Sequence, residues 1–401
     1  MKILFIDNNL PMPDRASADL RMFTIVKLLA QQNNDCHYFV LDAAHFRQKK
    51  PQIDFSKYQS DLESIGLTVH LKNLDKTLID HQFDVIYFKY FYPAEHRLRR
   101  IRLLQPSAKI VIDSVDLIYA RLFTKAELEK STLLFDQAIA TKQRELSTYE
   151  KADLTITITD EDTDILVKDS PSIKTLIIPN IHEIHREQAD KTSYPSLIFI
   201  GIFSHEPNVD AVLYFHKEIW PELLNTHPNI RWFIVGGNPP PEIKQLASDN
   251  IDVAGYVPET LPYLKKSWIS IAPLRFGAGM KGKVGEAMAA GIPVVTTEFG
   301  AQGLSVTNKK ELLISASADN CIEQINNLIQ DSSMRSRIGQ EGLNFIDSNY
   351  SPNKVNIILN NFSEVIKTLP TKPSPLSSRP FRLLKQLALF INTHFLWRFK
   401  K

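Results

Sequence analysis

Cysteine is almost missing from this chain of 401 residues: there are two, Cys36 and Cys321. Two thiols so far apart make no disulfide framework, and their scarcity fits a reducing compartment. Long apolar runs are missing as well. No stretch reaches the ~20 apolar residues that span a bilayer. The short apolar run before Asp7 falls below the roughly 7–15 residues of a signal-peptide core, so it reads as a first strand. The expected location is cytoplasmic, in solution or peripheral on the cytoplasmic face of a membrane. An excess of one charge sign is also lacking, with Lys+Arg 47 against Asp+Glu 45. That balance hides an asymmetry. From Pro370 onward there are seven basic residues and no acidic one, while residues 1–369 hold 40 basic and 45 acidic. An acidic body argues against a nucleic-acid partner, which calls for a basic face.

What is present is ordinary globular material, 43% hydrophobic and 23% charged, which excludes long disorder. Single cores stop growing at roughly 250–300 residues, so the chain should divide in two. Apolar runs at Lys2–Ile6, Cys36–Leu41, Phe83–Phe88, Lys109–Ile112, Leu154–Ile158 and Thr175–Ile178 read as buried strands. Helical patterns at Ala16–Gln31, Glu95–Gln105 and Glu127–Lys151 separate them. Near-continuous apolar strands alternating with helices imply a parallel sheet covered on both faces. A polar run at 183–194 breaks the pattern. It resumes with strands at Leu197–Ile200, Trp232–Val235, Ile269–Ala272 and Val294–Thr296 and helices at Val209–Leu224 and Lys283–Ala290. The expected fold class is α/β, with two doubly wound Rossmann-like domains facing a cleft. The expected division is a first domain at 1–182, a linker at 183–194, a second domain at 195–352, a helix at 353–369 returning to the first, and a tail at 370–401.

In such sheets ligands bind beyond the carboxyl ends of the strands. After Ala272 comes PLRFGAGMKGKVGEAMAAGIPVVTT, a strand, a glycine-rich turn with Lys281 and Lys283, and a helix ended by Gly291. Backbone N–H groups at a helix start, with lysines beside them, favour anions. Gly277 to Gly282 spells GxGxxG, with Glu298 about 20 residues on, as a dinucleotide site requires. Four residues separate this turn from its strand, and it does not open a domain. Gly277 to Lys283 also spells GxxxxGK, but Val284 follows where a P-loop needs a hydroxyl for Mg²⁺. The third reading is a sugar-nucleotide diphosphate on the turn, with Glu286 accepting from ribose hydroxyls.

The run GAGMKGKVGEAMAAGIPVVTT resembles the C-terminal signature of family 4 (group 1) glycosyltransferases, which adopt the GT-B fold. Residues 195–215 (PSLIFIGIFSHEPNVDAVLYF) resemble the start of that family's donor domain, and Ile177 to Asn180 resembles the close of its first domain. The likeness extends over roughly residues 1–365. It implies that Glu286 holds the donor ribose. It places Gly277, Ala278, Gly279 and Met280 against the sugar and pyrophosphate, and Lys281 and Lys283 against the phosphate charge. Many members carry an Arg and a Lys in the loop that here runs from Gly201 to Asn208. This chain has neither there, and His205 and Asn208 are its candidates on that loop. Members also carry a Glu eight positions before the ribose Glu, where Ala278 stands, and a His where Ile118 stands. On the acceptor side the resemblance leaves Asp116 and Arg121, beside the alternative of a helix cap and a structural ion pair. The loop Asn8 to Ser17 would line the cleft, with Ser17 and Asp19 as possible helix caps. Asp160, Asp162 and Asp164 are read as an acidic helix start, not a metal site.

The resemblance implies a nucleotide diphosphate sugar as co-substrate, no cofactor, no required metal, and retention at the anomeric carbon. The expected activity is transfer of a sugar to a lipid-linked glycan or polysaccharide precursor of the cell envelope. An NAD-dependent oxidoreductase using the GAGMKG turn and a non-catalytic sugar-nucleotide-binding subunit are the alternatives. The segment 370–380 reads as a Pro/Ser-rich linker, and 381–401 as a basic amphipathic segment for an anionic membrane surface.

Overall fold

Apolar strands that bury both faces need helices on both sides, and the chain meets that need twice. The computed structural model describes residues 1–51, 53–187, 191–277, 279–370 and 372. The first sheet comprises β1 (Lys2–Asp7), β2 (Asp35–Val40), β3 (Thr68–His70), β4 (Val85–Lys89), β5 (Lys109–Asp113), β6 (Leu154–Thr157) and β7 (Thr175–Ile177), in the order β3-β2-β1-β4-β5-β6-β7. The second comprises β8 (Ser196–Ile200), β9 (Arg231–Val235), β10 (Ile251–Gly255), β11 (Ile269–Ala272), β12 (Val294–Thr296) and β13 (Leu313–Ile314), in the order β10-β9-β8-β11-β12-β13. Every pairing between these strands is parallel. Both sheets are thus doubly wound, with the strand order reversing between β1 and β4 and between β8 and β11.

Alternation along each strand divides the core into layers. Ile3 and Phe5 face one side of the first sheet with helix Ser17–Gln31, while Leu4 and Ile6 face the other with Ile86, Phe88 and Ile112. The helix Pro352–Thr368 follows the second sheet in sequence yet buries Val355, Leu359, Phe362 and Ile366 in the core of the first. Each such side chain contributes about 1.5–3 kcal/mol over the exposed state. In the second half Leu197, Phe199, Trp232 and Ile234 form one layer. The opposite layer, Ile198, Phe233, Val284, Ala287 and Met288, also takes in Val115 and Ile158 from the first half. One apolar cluster therefore crosses the cleft.

Three continuous helices expected from periodicity are interrupted. The stretch 127–151 belongs to two helices, Ile118–Glu129 and Thr132–Tyr149. Lys130 turns left-handed at φ 51, and Ser131 caps the second helix by accepting from Leu134 N at 3.3 Å. Residues 95–105 divide between Tyr92–Glu95 and Leu98–Leu104, and 209–224 between Glu206–Glu218 and Trp220–Thr226, where Pro221 starts a new helix. The short strands β3, β10 and β13 were not marked by any apolar run; all three are sheet edges. No helix among the described residues is long and apolar enough to cross a membrane. The tail 381–401 and most of the 370–380 segment lie outside the described residues, as does Ala278.

Candidate active site

The loops after β8 and β11 meet where the second sheet reverses its strand order. At the end of β8, a Cβ on Gly201 would come within 2.8 Å of Asn208 Cγ and 2.9 Å of Lys283 Nζ. Glycine therefore lets both side chains close over the strand end. Asn208 is buried; its Nδ2 donates to Ile202 O at 2.7 Å and its Oδ1 accepts from Lys283 Nζ. Its amide thus positions the loop and the lysine. After β11, Gly277 (φ 139) and Gly279 (φ 65) adopt backbone angles that side chains resist. Lys281 ends the turn as the extended N-cap of helix Gly282–Ala289, its Nζ donating to Gly279 O.

Both lysines are held back from water. Burial pushes Lys281 down to about 8, against the pull of Asp162 and Asp116. Burial and the neighbouring Lys281 push Lys283 down to about 7, and its ammonium lies 4.4 Å from the Phe199 ring centroid. Glu286, one turn along the helix, is raised by burial and accepts from Thr260 Oγ1. Thr260 precedes the short helix Leu261–Lys266 and no sequence signal marked it. His205 begins the helix Glu206–Glu218 without capping it, open to solvent on one side. Desolvation on its other side, with Arg121 and Lys283 nearby, pushes its imidazole down to about 4.

The glycine turn is also the seam between the two halves. Asn180 Nδ2 donates to Met280 O at 3.2 Å. A Cβ on Gly282 would lie 2.5 Å from Ser17 Cβ, and one on Gly285 would lie 2.3 Å from His182 Nε2. Across the seam Val115, left-handed at φ 62, carries the chain from β5 to Asp116. Asp116 Oδ2 accepts from Arg121 Nε at 3.0 Å, and its Cβ is 3.4 Å from where a Gly279 Cβ would stand. Asp116 and Arg121 are therefore an ion pair and also face the turn.

Two first-half features exceed the sequence reading. Asp162, assigned to an acidic helix start, does lie in the first turn of Asp160–Asp169, with Thr159 as the cap. Its buried Oδ2, however, has no hydrogen-bond partner and sits 3.9 Å from the Gly279 Cβ position. Burial, reinforced by Asp116, pushes it up to about 6. Asp19, read as a cap, instead pairs with Lys89, which also meets Asp7 Oδ2 at 3.3 Å. Ser17 is the first helical residue behind an Ala16 N-cap that makes no side-chain cap bond. Beside Lys89, Tyr90 (φ 67) stacks on Tyr92 with ring centroids 5.1 Å apart.

Two parallel doubly wound sheets facing each other across such a seam define the GT-B fold of glycosyltransferases. The structure matches sucrose-phosphate synthase from Thermosynechococcus elongatus at TM-score 0.67 and 13% identity, over 92% of this chain and 99% of the other. It matches Anabaena HepE in complex with UDP-glucose at 0.64 and 15%, over 91% and 100%. A TarM variant of S. aureus, in complex with fondaparinux, alpha-GlcNAc-glycerol and UDP, matches at 0.67 and 10%, over 92% and 100%. At these identities the likeness is one of fold. In sequence, the family described as glycosyl transferases group 1 matches residues 194–331, the second sheet and the glycine turn. No curated protein matches the chain in sequence.

Proposed function

We propose that this chain is a metal-independent, retaining glycosyltransferase that moves a sugar from a nucleotide diphosphate sugar to a lipid-linked glycan or polysaccharide precursor. One observation carries the donor assignment: a glycine turn sets two half-buried lysines, Lys281 and Lys283, at the start of an eight-residue helix, with Lys283 closing over the end of β8 beside Gly201 and Asn208, and burial draws both below the ordinary lysine range. Such cations gain by receiving an anion. A diphosphate on the turn would take both ammonium groups and the free N–H groups of the helix start. Glu286, oriented by Thr260, would accept from the ribose hydroxyls. The departing diphosphate would then be stabilised by groups already in place, each worth about 2.7–4 kcal/mol of barrier in a water-excluded site. Asp116, tethered by Arg121, faces the turn from the other half and would orient the acceptor hydroxyl. The group 1 family match over this turn supports the reading, as does the UDP-glucose bound by the similarly folded HepE. The acceptor class and retention rest on the family resemblance.

UDP-hexoses are the first donors to test. Glu286→Ala should weaken UDP binding at least about tenfold, the loss of one charge-assisted hydrogen bond, as read by titration calorimetry. Unchanged affinity for every nucleoside diphosphate would sink the site. Binding of NAD with no sugar nucleotide would return the turn to a dinucleotide cofactor. Tight donor binding without transfer to any glycan acceptor would instead make the chain a binding subunit.

A further inference from the structure

Away from the cleft, three imidazoles from three separate segments converge at the β2–β3 edge of the first sheet. His37 comes from β2, His70 ends β3, and His81 directly follows the helix Leu74–Asp80. One ring nitrogen from each lies within 4.8 Å of the other two. His37 Nδ1 and His70 Nε2 are 2.8 Å apart, and their rings are stacked at 5.2 Å between centroids. The His81 ring lies 5.2 Å from His37 and 5.7 Å from His70. We propose that His37, His70 and His81 form a binding site for a borderline transition-metal ion, with zinc as the leading occupant.

Two imidazole lone pairs cannot sit 2.8 Å apart unless a proton or a cation lies between them. A proton satisfies two rings and leaves the third unused; a metal ion uses all three. Tetrahedral zinc with Zn–N bonds of about 2.0–2.1 Å holds its donors about 3.3 Å apart. His37 and His70 need only part slightly, and His81 move inward, to reach that spacing. His37 is 4% exposed and backed edge-on by Phe83 at 5.3 Å, so its ring is fixed. His70 and His81 are half-buried and free to adjust.

The far nitrogen of His37 carries a second element of a metal site. Asp35 Oδ1 stands 3.1 Å from His37 Nε2, although without the alignment of a hydrogen bond. A carboxylate on the outer nitrogen of a ligating histidine favours the tautomer whose inner nitrogen is a lone pair. The other Asp35 oxygen holds Lys2 Nζ at 3.0 Å, which offsets a cation beside the cluster. Nitrogen donors with no carboxylate among them exclude magnesium and calcium, which take oxygen. Three protein ligands leave a fourth position for water on the half-exposed side.

The occupant would be structural. Lys2 begins β1, Asp35 begins β2 and His81 lies just before β4, while His70 reaches in from the end of β3, so the cluster sits toward the amino ends of β1, β2 and β4 of the first sheet, whereas the glycine turn follows β11 of the second. A bound ion would clamp the three-residue edge strand β3 and the end of helix Leu74–Asp80 onto β2.

The test uses the full-length chain dialysed against a chelator and then titrated with Zn²⁺ in competition with a chromophoric chelator. One equivalent should bind, and His70→Gln/His81→Gln should lower affinity by about a hundredfold or more, the loss of two ligands exceeding the 10–100-fold typical of an outer-shell partner. UDP affinity should be the same in both proteins. Zinc binding in the double variant equal to that of the parent chain would overturn the proposal. Should the variant fail to fold, Co²⁺ bound to the parent chain decides: the intense visible bands of a tetrahedral site support it, and the weak spectrum of hydrated cobalt overturns it.

Discussion

Three lysines, one buried in the first half and two on the glycine turn of the second, are shifted by their surroundings in opposite directions. In the first half Lys89 is desolvated, yet Asp7 and Asp19 raise it well above the ordinary range. In the second half Lys281 and Lys283 fall to about 8 and about 7, because desolvation outweighs the carboxylates within reach. Lys283 donates to a neutral amide oxygen and makes no ion pair among the described residues. The first half repeats its pattern deeper in: Arg21 meets Asp113 at 2.6 Å and Arg102 meets Asp153 at 2.7 Å, both pairs buried. A cation matched by the chain's own carboxylates is part of the fold. Lys283, half-buried and bonded to an amide in place of a carboxylate, is placed for an anion that arrives later.

The sharpest way to break this contrast is to remove one lysine of each kind. Lys89→Met would leave two carboxylates uncompensated, their side chains 8% and 14% exposed. Unfolding in urea should show a loss of about 3–5 kcal/mol. Lys283→Met should cost less than about 2 kcal/mol, since relief of desolvation offsets the donor lost to Asn208. Its kcat/KM for sugar transfer should nonetheless fall about 10²–10³-fold. The contrast fails if the two variants lose similar stability.

A smaller effect concerns pH. A bound diphosphate raises the pKa of both second-half lysines above their free values of about 7 and about 8. Donor affinity is then fully present below about pH 7 and is lost as pH rises through the free values toward the raised ones. At pH 8 binding should take up protons, measured by calorimetry in two buffers of different ionisation enthalpy. Affinity that is flat between about pH 6.5 and 9 would remove the lysines from the phosphate site.

The crevice was legible in sequence because its backbone is unusual. Gly277 and Gly279 mark left-handed positions, and the helix after them carries Lys283 and Glu286 on its first turns. Long buried strands were legible for a similar reason, since both faces are apolar. The short edges β3, β10 and β13 pair on one side only and bring no apolar run with them. Asp162 was hidden because an acidic helix start explains it equally well locally. Only the packing of the two halves shows its unpartnered oxygen beside Gly279. Thr260 beside Glu286 and Asp19 beside Lys89 were hidden in the same way, as contacts over 26 and 70 residues of sequence.

The smallest test asks whether the halves communicate through one bond. Tyr256, just past β10, donates to Asp14 Oδ2 at 2.6 Å across the cleft, while Arg15 lies 4.3 Å from its ring centroid. Tyr256→Phe removes the hydroxyl and keeps the ring for Arg15. Asp14 Oδ2 retains Tyr58 at 3.0 Å and Lys57 at 3.5 Å, so the oxygen that loses Tyr256 keeps two partners. The closed arrangement should lose about 0.5–1 kcal/mol, and donor KM should rise two- to fivefold with little change in kcat. Asp14→Asn alone would disturb all three contacts, so the informative quantity is the coupling in a double-mutant cycle with Tyr256→Phe. Additive effects would mean that the hydroxyl does not hold the halves together, leaving closure to the apolar cluster around Val115 and Met280.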